Sequence, residues 1–416
     1  MAKEVELSLE QAIEFLLSPL SINNSDPHAK GGFYGFQNTS KPVRNTDKPF
    51  IFYEITGYGI DLLLKLYRWF GDRKFLELAK NSGESLLKAQ LFDSDKMISG
   101  AFYDRYYHET NSFFETFHSY PNAVCIGALC ELHSQTGDER FRKAARGATN
   151  WLFQMLCKEN NKCIGFAEFY SEKQAWTRIY PYESICIPFI LLKFQKDLTL
   201  SEEQKSALEQ VILWGRSSQQ GDGFFPFFYL PRYKQFNNTA YSHFTIYPLY
   251  NLMGYPLSEL EDLGYNGSFD SYIKCGNWLV KVQADDGGFY TYYHQSHHAW
   301  HQQSPAVGQA LCSFIHLYQK TKDKRFLESA KKCANWLMKN QLKDDKYKGS
   351  FYWVYPNKSL TSFQKKIQYA KERLSSKLSQ PDFTSDVTVL LDKLPIWSVQ
   401  FTVEGLHMFG KLEGSF

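Results

Sequence analysis

Six stretches of this chain crowd titratable and aromatic side chains against the start of an apolar run, and proton chemistry could be done there. Tyr53, Glu54 and Tyr58 open "YEITGYGIDLLL", His118 and Tyr120 lead into "NAVCIGALCEL", and Arg178, Tyr180, Tyr182 and Glu183 precede "SICIPFILL". Tyr241 and His243 open the fourth run, His298, Trp300, His301, Gln302 and Gln303 the fifth, and Trp397 and Gln400 the sixth. An imidazole titrates near neutrality, so His118, His243 and His301 are candidate bases. Tyr180 or Tyr182 would be the opposing acid, and Arg178 the clamp on a substrate carboxylate. Glu54 and Glu183, with Asp104, Asp222, Asp285 and Asp286 in nearby loops, equally supply the two carboxylates that glycoside hydrolysis needs. Tyr53, Tyr58, Tyr120, Tyr182, Tyr241, Trp300, Gln302, Gln303, Asp286, Trp397 and Gln400 are candidate binding groups. For each residue taken alone, a helix cap or a packed ring is an equally good reading.

What must position these residues is a repeat. "GGFYGF", "GAFYDR", "IGFAEF", "DGFFPF", "GGFYTY" and "GSFYWV" each follow the end of an amphipathic helix, with Phe33, Phe102, Phe166, Phe224, Phe289 and Phe351 about 60 to 70 residues apart. A fixed period of this length is the mark of a repeat architecture. Each loop leads to a run apolar on nearly all sides, then to a polar turn such as "GDRKF", "GDERF" or "KDKRF", then to a helix with one charged face. The all-apolar helices should be inner and the one-faced helices outer. The expected fold is all-α: an (α/α)6 toroid of six hairpins and about twelve helices, with short Gly-Phe loops or small β-hairpins at one mouth, and residues 1–416 forming a single domain. Each Phe anchors its loop in the barrel, and six inner-helix N-termini ring the mouth, where free N–H groups favour anionic ligand groups.

Composition narrows the partner. Lys plus Arg is 47 against 44 for Asp plus Glu, a net charge of +3 with no dense basic stretch, so nucleic acid is not expected. Aromatic residues reach 17%, which suits stacking walls for sugar faces. None of the eight cysteines forms a CxxC pair or zinc spacing, so they read as buried thiols in a reducing compartment, with neither metal nor other cofactor expected. Acids interrupt the apolar run of "MAKEVELSLEQAIEFLLSPL", unlike a signal peptide, and no run is long enough to span a membrane. A cytoplasmic protein acting on a small sugar or oligosaccharide is expected, with a homodimer as an open alternative.

Residues 299–330, "AWHQQSPAVGQALCSFIHLYQKTKDKRFLESA", resemble the C-terminal helical domain of glucuronyl C5-epimerases, and "RIYPYESICIPFILLKF" is similar to that family's Tyr-Pro inner helix. "YEITGYGI" resembles a segment of toroid proteins associated with polysaccharide synthesis, and the Gly-Phe loops and length are similar to the N-acylglucosamine epimerase family. The first resemblance implies removal and return of a proton at a uronic acid carbon, and it carries over to Tyr180, Glu183 and the helix containing Gln309. The β-rich N-terminal portion of the C5-epimerases has no counterpart in this sequence.

The expectation is therefore an epimerase-type enzyme, with glycoside hydrolase or lyase on the same toroid as alternatives. Terpene cyclisation lacks its Asp-x-Asp-Asp acid, prenyl transfer and lanthionine-type cyclisation lack a zinc set, and a non-catalytic glycan-binding toroid is a further reading. One segment breaks the period: about 45 residues separate Phe351 from Trp397 where other copies take about 20, and residues 358–394 read as an insertion with a basic helix, a candidate lid.

Overall fold

The computed structural model describes residues 2–39, 48–93, 97–171, 174–175, 178–294, 297–299, 301–356 and 393–414. Nearly all of the expected insertion, and Trp300, lie outside them. Fourteen helices are described. Six form an inner ring: α2 (Tyr53–Phe70), α4 (Ser119–Thr136), α6 (Glu183–Lys193), α9 (Ser242–Ile246), α12 (Ser304–Thr321) and α14 (Ile396–Leu412). Six stand outside them: α1 (Ala2–Leu16), α3 (Arg73–Ala89), α5 (Glu139–Gln154), α8 (Glu202–Ser217), α11 (Ser268–Val282) and α13 (Lys324–Asn340). Two short helices, α7 (Gln195–Leu198) and α10 (Pro256–Asp262), lie in connections. Packing of α14 on α2 closes the ring, and one apolar core runs from Val5 to Phe409.

The polar turns work as their sequence suggests. Inner helices α2 and α4 end on left-handed Gly71 and Gly137, and Asp72, Asp138 and Asp323 then cap the outer helices by accepting from the backbone N–H of Lys74, Arg140 and Arg325. The loop glycines are as strictly placed. Gly100 and Gly349 have φ of +96° and +91°, and a Cβ on either would collide with the backbone of the next outer helix, at Gly147 and Gln11. Gln90 Nε2 donates to Gly100 O at 2.7 Å and to Ala144 O at 2.8 Å, and Gln341 Nε2 repeats this with Gly349 O and Ser8 O at 3.2 and 2.9 Å. The last loop is thus stitched to the first helix by the device that joins neighbours elsewhere.

Two copies depart from the expected pattern. In "DGFF" it is Phe225, 1% exposed, that fills the core, while Phe224 is only partly buried against it, a slip of one residue from the anchor expected. The fourth inner helix, expected through "SHFTIYPLYNLMGY", stops at Ile246. Pro248 has no N–H to continue the ladder and disfavours helix at the residue before it, and the chain turns through Asn251 and Gly254 before α10 begins. Short antiparallel strands at the mouth include 105–107 with 112–114, 228–230 with 235–237, 301–303 with 354–356, and 36–38 with 393–395. All eight cysteines are free, and seven are buried. No helix of the described residues is long and apolar enough to cross a membrane.

Candidate active site

Glu54, Tyr58, Asp61 and Lys65 follow one another at helical spacings of four, three and four, so they form one stripe down α2. Its upper half meets groups from the other five inner helices. Tyr58 Oη lies 2.6 Å from Tyr120 Oη. The Tyr120 ring is 5.6 Å from Tyr182, which begins the turn into α6, and 5.3 Å from Tyr247, which follows α9. Tyr182 and Tyr247 stack at 5.3 Å. Gln309 of α12 and Phe401 of α14 complete the circle: Gln309 Oε1 is 2.6 Å from His243 Nδ1, and Phe401 packs beside Tyr58 and His243. A tyrosine floor therefore spans the ring, with phenols held neutral because burial pushes all four well above their ordinary titration.

Two carboxyls at this floor form no ion pair with a described residue. Glu54 is half-buried and makes no hydrogen bond or ion pair to a described residue. Burial, and then the charge of Asp104, push its pKa up to about 8, although Arg105 opposes them. Glu183 is 5% exposed; it accepts at Oε1 from Tyr182 Oη at 3.1 Å, and its buried Oε2 has no partner among the described residues. Burial first, then Glu168, raise its pKa well above the carboxylate range. With a pKa near 8 Glu54 is a hydrogen-bond donor at neutral pH, and of the two only it is accessible.

Above Glu54 lies a contrasting pair. His118, the residue before α4, places Nδ1 3.0 Å from Asp104 Oδ1, and Arg105 Nε is 2.6 Å from Asp104 Oδ2. Burial alone would raise the Asp104 carboxyl, yet His118 and Arg105 together hold it below its ordinary range. A carboxylate is thus ionised next to a carboxyl that is not. His243 is fixed differently: Gln309 Oε1 accepts from Nδ1, and Nε2 accepts from Tyr247 Oη at 3.2 Å. Burial lowers its pKa to about 4, so the ring is neutral.

The other residues expected here are placed otherwise. Burial also lowers His301 to about 4, and its Nδ1 lies 2.6 Å from Thr291 Oγ1. Gln302 is locked between Asp286 Oδ1 and Trp336 Nε1, each 2.9 Å away. Gln303 Nε2 donates to Ser242 Oγ at 2.8 Å, and Gln400 Nε2 to Ile55 O at 3.0 Å. Tyr180 Oη donates to Glu168 at 2.8 Å, and the Arg178 guanidinium rests over Phe228. Tyr53 stacks against Phe113 and His298 against Tyr290, Tyr241 lies tilted against Phe227, and Trp397 packs edge-on against Trp353. Trp397 Nε1 is buried without a hydrogen-bond partner among the described residues. Tyr247 and Arg105 belong to the cluster and were not singled out from the sequence. The spacing of His243 and Tyr247, one helical turn, was the available signal for the first; "YDRYY" carried none for the second. Among the described residues no group of three His, Cys, Asp or Glu is arranged to hold a metal ion.

No protein-family model matches the chain, and no curated protein matches it in sequence. Solved structures do match in fold. A cellobiose 2-epimerase from Bacillus thermoamylovorans B4167 superposes with a TM-score of 0.72 at 14% identity, covering 98% of this chain and 100% of the other. A D-mannose isomerase gives 0.66 at 13% identity over 98% and 97%. An unsaturated glucuronyl hydrolase from Bacillus sp. GL1 gives 0.61 at 14% identity over 96% of each chain. At such identities the likeness speaks for architecture, and the architecture is the (α/α)6 toroid.

Proposed function

We propose that this chain is a carbohydrate-active enzyme performing epimerase-type proton transfer at a sugar carbon. The observation that carries the reading is Glu54, a half-buried carboxyl kept protonated near neutrality within electrostatic reach of Asp104, the carboxylate that holds the His118 imidazole. Removing a weakly acidic C–H proton requires a base at carbon and a donor at the oxygen where charge develops. His118 takes the proton. Glu54 donates to the enolate oxygen, and the coupled hydroxyls of Tyr58 and Tyr120 add neutral donors that need no reorganisation. Return of a proton to the opposite face falls to Tyr247, whose hydroxyl gives its proton to carbon and is refilled from solvent as His118 releases the proton it took. The aromatic floor stacks the sugar ring. Two of the matching folds are named as an epimerase and an isomerase of sugars, which supports the same class.

The finer reading is a uronic-acid-containing glycan, with Arg178 toward the acidic group, and a cytoplasmic location in keeping with eight unpaired thiols. The test is incubation in deuterated water with a panel of free aldoses, disaccharides and uronic-acid glycans. Carbon-bound deuterium without chain cleavage is expected. A second reading, glycoside hydrolysis, is favoured by Glu183, a second carboxyl within electrostatic reach of Glu54. New reducing ends without carbon-bound deuterium would overturn the epimerase reading in its favour.

A further inference from the structure

Asp104 lies at a junction. Its carbonyl accepts from the N–H of Tyr53, the first residue of α2, at 3.1 Å, and its N–H donates to Thr116 O at 3.1 Å, just before the strand that leads to His118. One residue is thus fixed between the starts of two inner helices, and its side chain is 1% exposed. The two carboxylate oxygens are engaged differently: His118 Nδ1 hydrogen-bonds Oδ1 at 3.0 Å, and Arg105 Nε faces Oδ2 at 2.6 Å as an ion pair without hydrogen-bond geometry. Arg105 has little freedom to move away. Its guanidinium is boxed by the rings of Phe50, Phe52 and Phe114 at 4.7, 5.7 and 5.6 Å, and its backbone pairs with Phe52 on one side and Phe114 on the other. An ionised carboxylate can only accept hydrogen bonds, so the nitrogen facing it must carry a proton.

We propose that Asp104 is a positioning residue, which holds the His118 ring with its proton on Nδ1 and thereby makes Nε2 the proton-accepting nitrogen. The inference rests on the reading of His118 as the base. It extends that reading to a residue that need not touch the sugar. Arg105 is part of the device, because by occupying Oδ2 it leaves Oδ1 as the oxygen that faces the imidazole.

Asp104→Asn separates this from a packing role. The amide has one oxygen to set against a guanidinium charge and an imidazole, and with Arg105 boxed that oxygen stays toward the guanidinium. The NH2 then faces the imidazole and favours the opposite tautomer. The first measurement is 15N NMR of the protein labelled on histidine, with the His118 resonances assigned by His118→Gln. In the unaltered chain the Nδ1–H form is expected, and in Asp104→Asn a shift toward Nε2–H. The second is turnover of whichever sugar the unaltered enzyme converts, where kcat should fall about 100-fold or more with KM little changed, as for loss of a group that orients a catalytic imidazole. An unaltered chain that already holds the Nε2–H form overturns the proposal even if the variant does not fold. So does an Asp104→Asn protein that keeps its tautomer and its kcat. Because the tautomer is read without substrate, a chain that converts no sugar in the panel defeats the reading of the reaction and leaves this readout to decide on Asp104.

Discussion

The stripe on α2 buries charge at both ends, and the two ends handle it in opposite ways. At the end far from the mouth Lys65 Nζ is 2.8 Å from Asp61 Oδ2 and 2.7 Å from Glu404 Oε2, and it donates to Leu252 O at 2.6 Å. Two of the ammonium's protons go to Glu404 and Leu252 as hydrogen bonds, and its charge faces Asp61 as well. Burial would lower the Lys65 pKa, yet the two carboxylates raise it, so the ion pair persists. Roughly 16 Å along the same helix, eleven residues at the usual rise, Glu54 faces the tyrosine floor and forms no ion pair with a described residue. There the carboxyl meets burial by keeping its proton. A satisfied cluster is what ring closure between α2 and α14 requires; an unsatisfied one is stable only as a neutral acid, and a neutral acid is a reagent.

Breaking each end should therefore give opposite results. Glu54→Gln keeps shape and removes the transferable proton, so a loss of about 100- to 10,000-fold in kcat is expected. Stability should hold or rise by about 0.5–2 kcal/mol, as when a strained functional group is relieved. Thermal melting and steady-state kinetics on one preparation check both. Melting that falls with activity would show Glu54 to be structural.

Lys65→Met inverts the pattern. It leaves Asp61 and Glu404 buried without their cation, so a loss of about 3–5 kcal/mol is expected in denaturant unfolding, while the folded fraction keeps its turnover. Replacing all three by apolar residues of similar volume should recover most of that loss. Failure to recover would mean that the cluster does more than close the ring.

A smaller effect appears with pH. The folded pKa of Glu54, about 8, lies above its unfolded value. Between the two values the folded chain holds a proton that the unfolded chain releases, so this group's contribution to stability falls as pH rises through that window and levels above it. Activity that needs the acid should fall as pH passes about 8. Glu54→Gln should flatten the stability trend in the same range, and an unchanged slope would place the titrating group elsewhere.

How much of this was legible follows from the range of each interaction. The hairpin turns and the Gly-Phe loops are local, and the period of the repeat carries their chemistry, so the toroid could be read directly. Half of the stripe was read as well, Glu54 and Tyr58 in "YEITGYGIDLLLKL", while Asp61 and Lys65, one and two turns further on, were not singled out. What closes on it was not legible. Glu404 is 339 positions from Lys65, and Gln309 is 66 from His243; nothing in either segment states the pairing. Gln302, Gln303 and Gln400 have residue types that suit a site, and contacts with Trp336, Ser242 and Ile55 use their groups instead. The shortened fourth helix was marked by Pro248, but the apolar run around it reads as helix until the proline is given its full weight.

The smallest effect tests the floor itself. Tyr58 and Tyr120 share one hydrogen bond between two buried hydroxyls. Tyr58→Phe removes one hydroxyl and leaves the other without that partner, at a cost of about 0.5–1.5 kcal/mol if the pair only braces α2 against α4. If the pair also donates to the developing oxyanion, the loss appears in kcat as well, by about tenfold, since a donor used only in the transition state lowers kcat and kcat/KM together. Tyr58→Phe/Tyr120→Phe then decides between the two. A double variant no less stable than the single shows that the bond was the structural contribution, because replacing both partners leaves no buried hydroxyl unpaired. A further fall in its kcat assigns the hydroxyls to the reaction. Stability lost without any change in turnover would move the Tyr58–Tyr120 pair to the structural side of the comparison, beside Lys65, and leave Glu54 as the donor on which the α2 stripe's chemistry depends.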